Sequence, residues 1–213
     1  ISDTFLIDFS AIEIEDLLDV KGERVMIKLS PMLDISLALK SMRNVSDIHI
    51  VSVANECKEL LFIKDRNKKD QHIHCVNIQK DKTDVLLFHK EDEDSAHVNY
   101  TSSVGQYLYE PNASILKAGM YKSVADIYKL EKLHPSSHLY TSTDLISEFQ
   151  GRKFVVDTVC SFNKKDIKQH LSAIKQANIT TRNFPVSVQE IRKKTRISEG
   201  GDIYIFATTL SDE

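Results

Sequence analysis

Between Arg152 and Arg196 the chain carries eleven lysines and arginines against three acids. Lys164, Lys165, Lys168, Arg182, Arg192, Lys193, Lys194 and Arg196 fall within helical or strand-like segments and could line one surface. Side chains of this kind neutralise phosphates, so the chemistry they suggest is the holding of a polyanion rather than the making of a bond. Charge counts alone describe a solvated helical face equally well. Arg182-Asn183-Phe184 adds an aromatic ring beside a cation, the pairing on which unstacked bases rest. Pro185 and a helix-start signal follow Phe184 directly, and these favour a core position for its ring.

Groups for bond making are not assembled elsewhere. No G-x-G occurs among the six glycines, so neither a dinucleotide-type glycine loop nor a P-loop is present in the sequence. His72 and His74 share one face of a strand, and His89 could face them across a hairpin. Three imidazoles could converge on zinc, yet no C-x-x-C or H-x-x-x-H spacing accompanies them, and an exposed polar sheet face accounts for them more simply. No metal is expected. Cys160 falls in a strand-like run, where a buried thiol is inert. Asp3, Asp8 and Glu110 have no partner that spacing identifies, and the catalytic residues stay unassigned.

The elements that carry the basic residues form a short α/β pattern. Phe154–Cys160 and Ile203–Thr208 are apolar strand-like runs, and Gly200-Gly201 turns the chain into the second. Between them, Asn163–Ala177 places Ile167, Leu171, Ile174 and Ala177 on one helical face with the lysines outside it. Ser187-Val-Gln-Glu190 is a capping box, with Val186 and Ile191 spaced as its hydrophobic staple.

Upstream, Thr4–Phe9 is a strand candidate and Ile12–Val20 a short surface helix. Arg24–Leu29 and Val45–Ala54 read as strands, with a helix at Ile35–Met42 capped by Asp34 between them, and Glu56–Ile63 is a further apolar run. Lys64–Asp70 is a charged break. His72–Ile78 and Val85–His89 form a hairpin-like pair, and Glu91–Asp94 an acidic loop. Asn112 caps one long helix running to Tyr128, with Gly119 causing a bend or close packing. Leu133–Thr141 is a loop, and Thr143–Phe149 a short helix that Gly151 ends.

The 213 residues have a net charge of −3. That figure hides a split: residues 1–149 are net −7 and residues 150–213 net +4. Such asymmetry indicates two jobs in one chain, with the basic end meeting a polyanion. No apolar run approaches the roughly 20 residues that span a bilayer, so no membrane partner is expected. The acids in the first eight residues do not make the basic region of a secretory signal. Three widely spaced cysteines, Cys57, Cys75 and Cys160, fit reduced thiols and a cytoplasmic location. The first residue is not methionine and strand-like sequence begins at once, so the chain is expected to be a piece of something longer.

Several stretches together resemble one family. Lys28-Leu-Ser-Pro-Met-Leu-Asp34 and Glu56-Cys-Lys-Glu-Leu-Leu61 are similar to the end of the catalytic domain in a group of class I SAM-dependent methyltransferases. Tyr109–Gly119, His138–Ser142, and Arg182–Pro185 through Gly200–Thr209 resemble that group's C-terminal part, which is THUMP-like and preceded by a small ferredoxin-like insert. The resemblance implies an α/β (α+β overall) chain in three parts. These are the tail of a Rossmann-like methyltransferase sheet over residues 1–64, a ferredoxin-like insert over 65–108, and a linking helix with a THUMP-like domain over 109–213. It further implies that the full-length protein uses S-adenosylmethionine, that an N-terminal methyltransferase half covers residues 1–64, and that this chain alone binds no cofactor. RNA, as tRNA or rRNA, is the implied partner. Lys28, Ser30 and Pro31, at the end of a sheet strand, are peripheral candidates for the methyltransferase site. A non-enzymatic module binding an acidic protein, and methylation of a non-RNA substrate, are the alternatives.

Overall fold

The computed structural model describes residues 24–65, 67, 68 and 70–211. The expected strand at Thr4–Phe9 and helix at Ile12–Val20 lie outside the described residues. The chain divides into two compact units, Ile1–Ser95 with Asn112–Met120, and Ala96–Pro111 with Tyr121–Glu213.

The first unit is built on one sheet. β1 (Arg24–Leu29) leads through a turn to α1 (Ile35–Ser41), whose N-cap Asp34 accepts the Leu37 N–H at 3.0 Å. β2 (Val45–Val53) and β3 (Glu56–Asp65) form a hairpin closed by Ala54 and Asn55, both with positive φ (49° and 63°). Two left-handed residues match the right-handed strand twist in a tight turn, and Asn55 tolerates that conformation. β4 (His72–Ile78) and β5 (Thr83–His89) form a second hairpin. The order is β1-β3-β2-β4-β5; only the β2–β4 junction is parallel. Ile48, Ile50, Leu60, Phe62, Cys75 and Phe88 are completely buried. Glu91–Asp94, expected as a loop, largely becomes the short α2 (Asp92–Ser95).

The boundary expected at residue 64/65 runs through this sheet. β3 extends to Asp65, and β4 pairs with β2 over seven residues from Asp47↔His72 to Val53↔Ile78. A hairpin alone buries too little surface to stand by itself, and β4 and β5 meet that need by extending the upstream sheet. α3 (Ala113–Ala118) lies against β2, β3 and β4, and its first backbone N–H donates to Asn55 Oδ1 at 2.8 Å.

The expected long helix is two helices. Asn112 caps α3 as expected, accepting the Ile115 N–H at 3.1 Å. Gly119, at φ 77°, ends it in a left-handed cap, and α4 (Tyr121–Tyr128) starts afresh in the second unit. Glycine's freedom at positive φ makes this stop cheap, and it splits an apolar stripe that reads as continuous.

In the second unit, β6 (Asn99–Tyr100), β7 (Tyr107–Pro111), β8 (Glu131–His134), β9 (Ser137–Ser142) and β10 (Gly151–Val155) form a sheet ordered β10-β7-β9-β8-β6. The boundary expected at 108/109 falls inside β7. Leu133–Thr141, expected as a loop, is the β8–β9 hairpin, and Thr143–Phe149 is not helical. Gly151 opens a strand rather than ending a helix. A side chain there would collide with the Glu110 carbonyl and the Phe149 ring, so glycine lets β10 close on β7. β10 stops at Val155, short of the expected Cys160.

The basic end of the chain follows. α5 (Lys164–Asp166) continues as a π-helix (Ile167–Leu171), shorter than the helix expected to Ala177. β11 (Asn178–Arg182) and β12 (Tyr204–Thr208) pair in parallel, and α6 (Val188–Thr195) packs against β11 and the π-helix. Ala177, Ile179, Ile191 and Ile197 form the buried centre here, with Val186 and Phe184 packed against it. The capping box and staple are present: Glu190 N–H donates to Ser187 Oγ at 3.3 Å and Ser187 N–H to Glu190 Oε2 at 3.0 Å. Ser187→Ala removes the acceptor at the helix start and is expected to cost about 1 kcal/mol, measured by urea denaturation. Among the described residues no helix is long and apolar enough to cross a membrane.

Candidate nucleic-acid interface

The eight basic candidates divide into two groups. Lys164, Lys165 and Lys168 are exposed on α5 and the π-helix, and Lys193, Lys194 and Arg196 on and beyond α6. Contact between these two helices brings the two lysine clusters onto neighbouring elements. Arg196 ends α6 in a left-handed conformation (φ 61°), its N–H donating to the Arg192 carbonyl at 2.8 Å. Lys194 Nζ stands 4.8 Å over the Phe162 ring, which meets Phe184 edge-on at 5.5 Å. Phe184 thus serves the core.

Arg182 and Arg192 face inward. Arg192 donates to the carbonyls of Ile197 (3.1 Å) and Ala177 (3.3 Å), tying the end of α6 to the segment before β11. Arg182 donates through Nε (2.9 Å) and Nη2 (2.6 Å) to Glu110 Oε1. Arg152, directly opposite Glu110 in the β10–β7 register, donates through Nε (2.9 Å) and Nη2 to Oε2 of the same carboxylate. Glu110 is buried, so one carboxylate holds two guanidiniums in fixed planes.

The Arg152 guanidinium lies 5.5 Å from the Phe154 ring centre and 5.3 Å from that of Tyr204. Phe154 contacts Tyr204 and Phe206 at 5.0 and 4.9 Å. Sequence reasoning placed the cation–aromatic pair at Arg182 and Phe184, whereas the fold builds it from Arg152 and Tyr204. The available signal was the i, i+2 spacing of Arg152 with Phe154 and of Tyr204 with Phe206 in strand-like runs.

Two domain families match this part of the chain: a ferredoxin-like domain over residues 107–149 and a THUMP domain-like family over residues 151–213. The chain carries a ferredoxin-like and a THUMP-like domain. The ferredoxin-like match thus lies downstream of the 65–108 segment that sequence reading assigned to it. A crystal structure described as a "putative methyltransferase" from Porphyromonas gingivalis W83 superposes with a TM-score of 0.86 at 36% sequence identity, over 94% of this chain. This chain spans 51% of that structure's length. No curated protein matches the chain.

Glu110, in the ferredoxin-like domain, therefore joins Arg152 and Arg182 of the THUMP-like domain. Beside this junction, the His138 ring stacks on Tyr121 with centroids 3.6 Å apart, and its Nδ1 is buried without a hydrogen-bond partner. Burial, then the positive charges of Lys132 and Arg182, lower its pKa from 6.5 to about 4.

The peripheral candidates upstream have structural contacts. Lys28 Nζ pairs with Glu59 at 2.8 Å, Ser30 Oγ accepts the Met32 N–H at 3.2 Å, and Pro31 lies in the same turn. His49, His72, His74 and His89 gather beside Asp47: His49 stacks on His74 at 4.2 Å, His72 contacts His89 at 4.8 Å, and His74 Nε2 lies 3.1 Å from Asp47 Oδ1. Among the described residues no group of three or more His, Cys, Asp or Glu could hold a metal ion. Burial raises the Asp47 pKa, but the Ser46 hydroxyl, His74 and Lys68 outweigh it and hold the carboxyl at about 2. Cys160 is half-buried outside any strand, and burial raises its thiol pKa.

These shifts predict a two-step acid response. Both pKa values are lower in the folded chain, so protons bind the unfolded chain first and stability falls with pH. His138's contribution is full above its ordinary 6.5 and is lost as pH falls toward about 4. Asp47's is full above 3.8 and is lost as pH falls toward about 2. The first step is expected to cost about 1–3 kcal/mol in urea denaturation between pH 7 and pH 4, and His138→Gln to flatten it.

Proposed function

We propose that this chain is the RNA-holding portion of a methyltransferase, and that the whole protein transfers a methyl group from S-adenosylmethionine to RNA. The observation that carries the reading is the THUMP-like domain with six exposed basic residues on and beside contacting helices. The likeness to the Porphyromonas gingivalis protein supports the reaction class.

The described residues do not fit the cofactor. The turn from β1 into α1 is Ser30-Pro31-Met32-Leu33-Asp34, without glycine, and Gly119, the described glycine of the first unit, serves as a helix cap. The glycine-rich turn by which open α/β sheets bring backbone N–H groups up to a nucleotide is not found among the described residues. Among the described residues β1 pairs only with β3.

Fluorescence anisotropy of a labelled tRNA or rRNA pool at several salt concentrations tests the RNA reading. Affinity should fall steeply with salt. Reversing Lys193 and Lys194 to glutamate should weaken binding of every sequence and lower the log–log salt slope by about 2. Absence of binding, or binding indifferent to salt, would reject it.

A further inference from the structure

The THUMP-like domain offers an aromatic edge whose placement is not explained by packing alone. Phe154 and Phe206 rest on the buried cluster of Leu108, Leu133 and Leu139, which anchors one side of the group. Tyr204 continues the row outward, and 41% of its surface is exposed. Val155, next to Phe154, and Ile203, next to Tyr204, are exposed as well. An exposed ring held by two others, with a guanidinium over it, presents a flat π surface in one orientation. Arg152 cannot swing freely, because two of its nitrogens are held by buried Glu110. Little conformational freedom remains to be lost when a planar ligand arrives.

Charge at the same end of the ribbon identifies the ligand. Tyr204 pairs with Asn178, the first residue of β11. One residue before it, the Ala177 N–H donates to the Ser198 carbonyl at 3.0 Å, and the Ser198 N–H donates to the Lys175 carbonyl at 2.9 Å. Lys175 and Arg196 are both exposed there. A planar group flanked by phosphates suits this arrangement, and an apolar peptide would leave those cations without partners.

We propose that Arg152, Phe154, Tyr204 and Phe206 form a stacking site for an unpaired base, so that the substrate class is RNA presenting a single-stranded loop, bulge or end. The proposal rests on the RNA reading above and narrows it. Bases inside an A-form duplex are already stacked and do not reach such a ring, whereas a splayed base gains contact on Tyr204 and the guanidinium. The basic helices hold backbone, and the aromatic edge distinguishes strand from duplex.

The test uses a single-stranded RNA oligonucleotide carrying 2-aminopurine, with its duplex as control. The full chain should bind the single strand more tightly and quench its fluorescence through stacking. Tyr204→Ala should weaken single-strand binding by about 10-fold or more, abolish the quenching and leave the salt slope unchanged. Tyr204→Trp should retain both binding and quenching. Should Tyr204→Ala unfold by circular dichroism, Tyr204→Leu keeps apolar contact without a π face and should show the same loss. Salt-dependent RNA binding that is indifferent to Tyr204→Ala, or equal for strand and duplex, overturns the stacking site and leaves the RNA reading standing. No RNA binding by the unaltered chain rejects both.

Discussion

Glu110→Gln is expected to lower stability by about 2–4 kcal/mol, read as a shift in the urea midpoint. The side chain is 3% exposed and accepts four N–H donors, two from Arg152 and two from Arg182. An amide of the same shape offers one oxygen and puts an NH2 group against a guanidinium. Two cations then face each other without the anion between them, and breaking such a site costs more than the pair contributes net. The range sits at the lower end for buried pairs because water reaches Arg152 and Arg182, which are 39% and 35% exposed. The location raises the consequence. Glu110 is on β7, Arg152 on β10 and Arg182 on β11, so one carboxylate fastens the second unit's sheet to its parallel ribbon. A double-mutant cycle separates electrostatics from packing: Arg152→Met with Glu110→Gln should cost clearly less than the two single changes added. Additive costs would mean that the ion cluster does not act as a unit. In the same variant Arg152 loses its anchor, so quenching of a stacked base should weaken with it.

Local rules made much of this fold legible. Asp34, Asn112 and Ser187 announce helix starts because a cap is made within three residues, and the structure makes all three bonds. Alternating β-branched residues mark β2 and β4 for the same reason. Failures begin where the deciding partner is distant in sequence. Nothing in His72–Ile78 states that it will pair in parallel with Val45–Val53, and that pairing decides the first unit. The apolar stripe from Ile115 to Tyr128 carries no mark that its halves belong to different units, beyond one glycine.

The candidate site divides the same way. Amphipathic spacing puts Lys164, Lys165, Lys168 and Lys175 outward, where they are exposed, since a helix turns its apolar residues to the core. The same periodicity cannot identify Arg182 and Arg192 as internal struts. Their acceptors are Glu110, 72 residues away from Arg182, and the Ala177 carbonyl, 15 from Arg192. Glu110 carries no local signal for that reason. The Arg152–Tyr204 contact depends on β10 and the ribbon approaching each other, which no local pattern records.

Lys132 carries the second large effect. It directly precedes the Leu133–Thr141 stretch that reads as loop, and its side chain reaches into the turn of the β8–β9 hairpin. Lys132 is 1% exposed, and its ammonium donates to the carbonyls of His134 (2.6 Å), Pro135 (2.7 Å) and Ser137. An ammonium has three donors, and three turn carbonyls take them. Lys132→Met keeps the stem length and removes every donor, leaving those carbonyls to lose their partner in a partly dry turn. A loss of about 2–4 kcal/mol is expected, measured by urea denaturation at pH 7. Lys132→Arg should not rescue it, because a planar fork cannot point at three carbonyls around one centre. A second readout is independent of stability. Lys132 is one of the two charges that hold His138 protonation down, so removing it should raise the His138 pKa from about 4 toward 6.5, followed by NMR of the ring. Stability would then be lost over a narrower pH interval near neutrality. An unfolded-like loss of stability with an unmoved His138 titration would show that the ammonium is not the charge acting on that ring, while an unchanged stability would show that the turn closes without it.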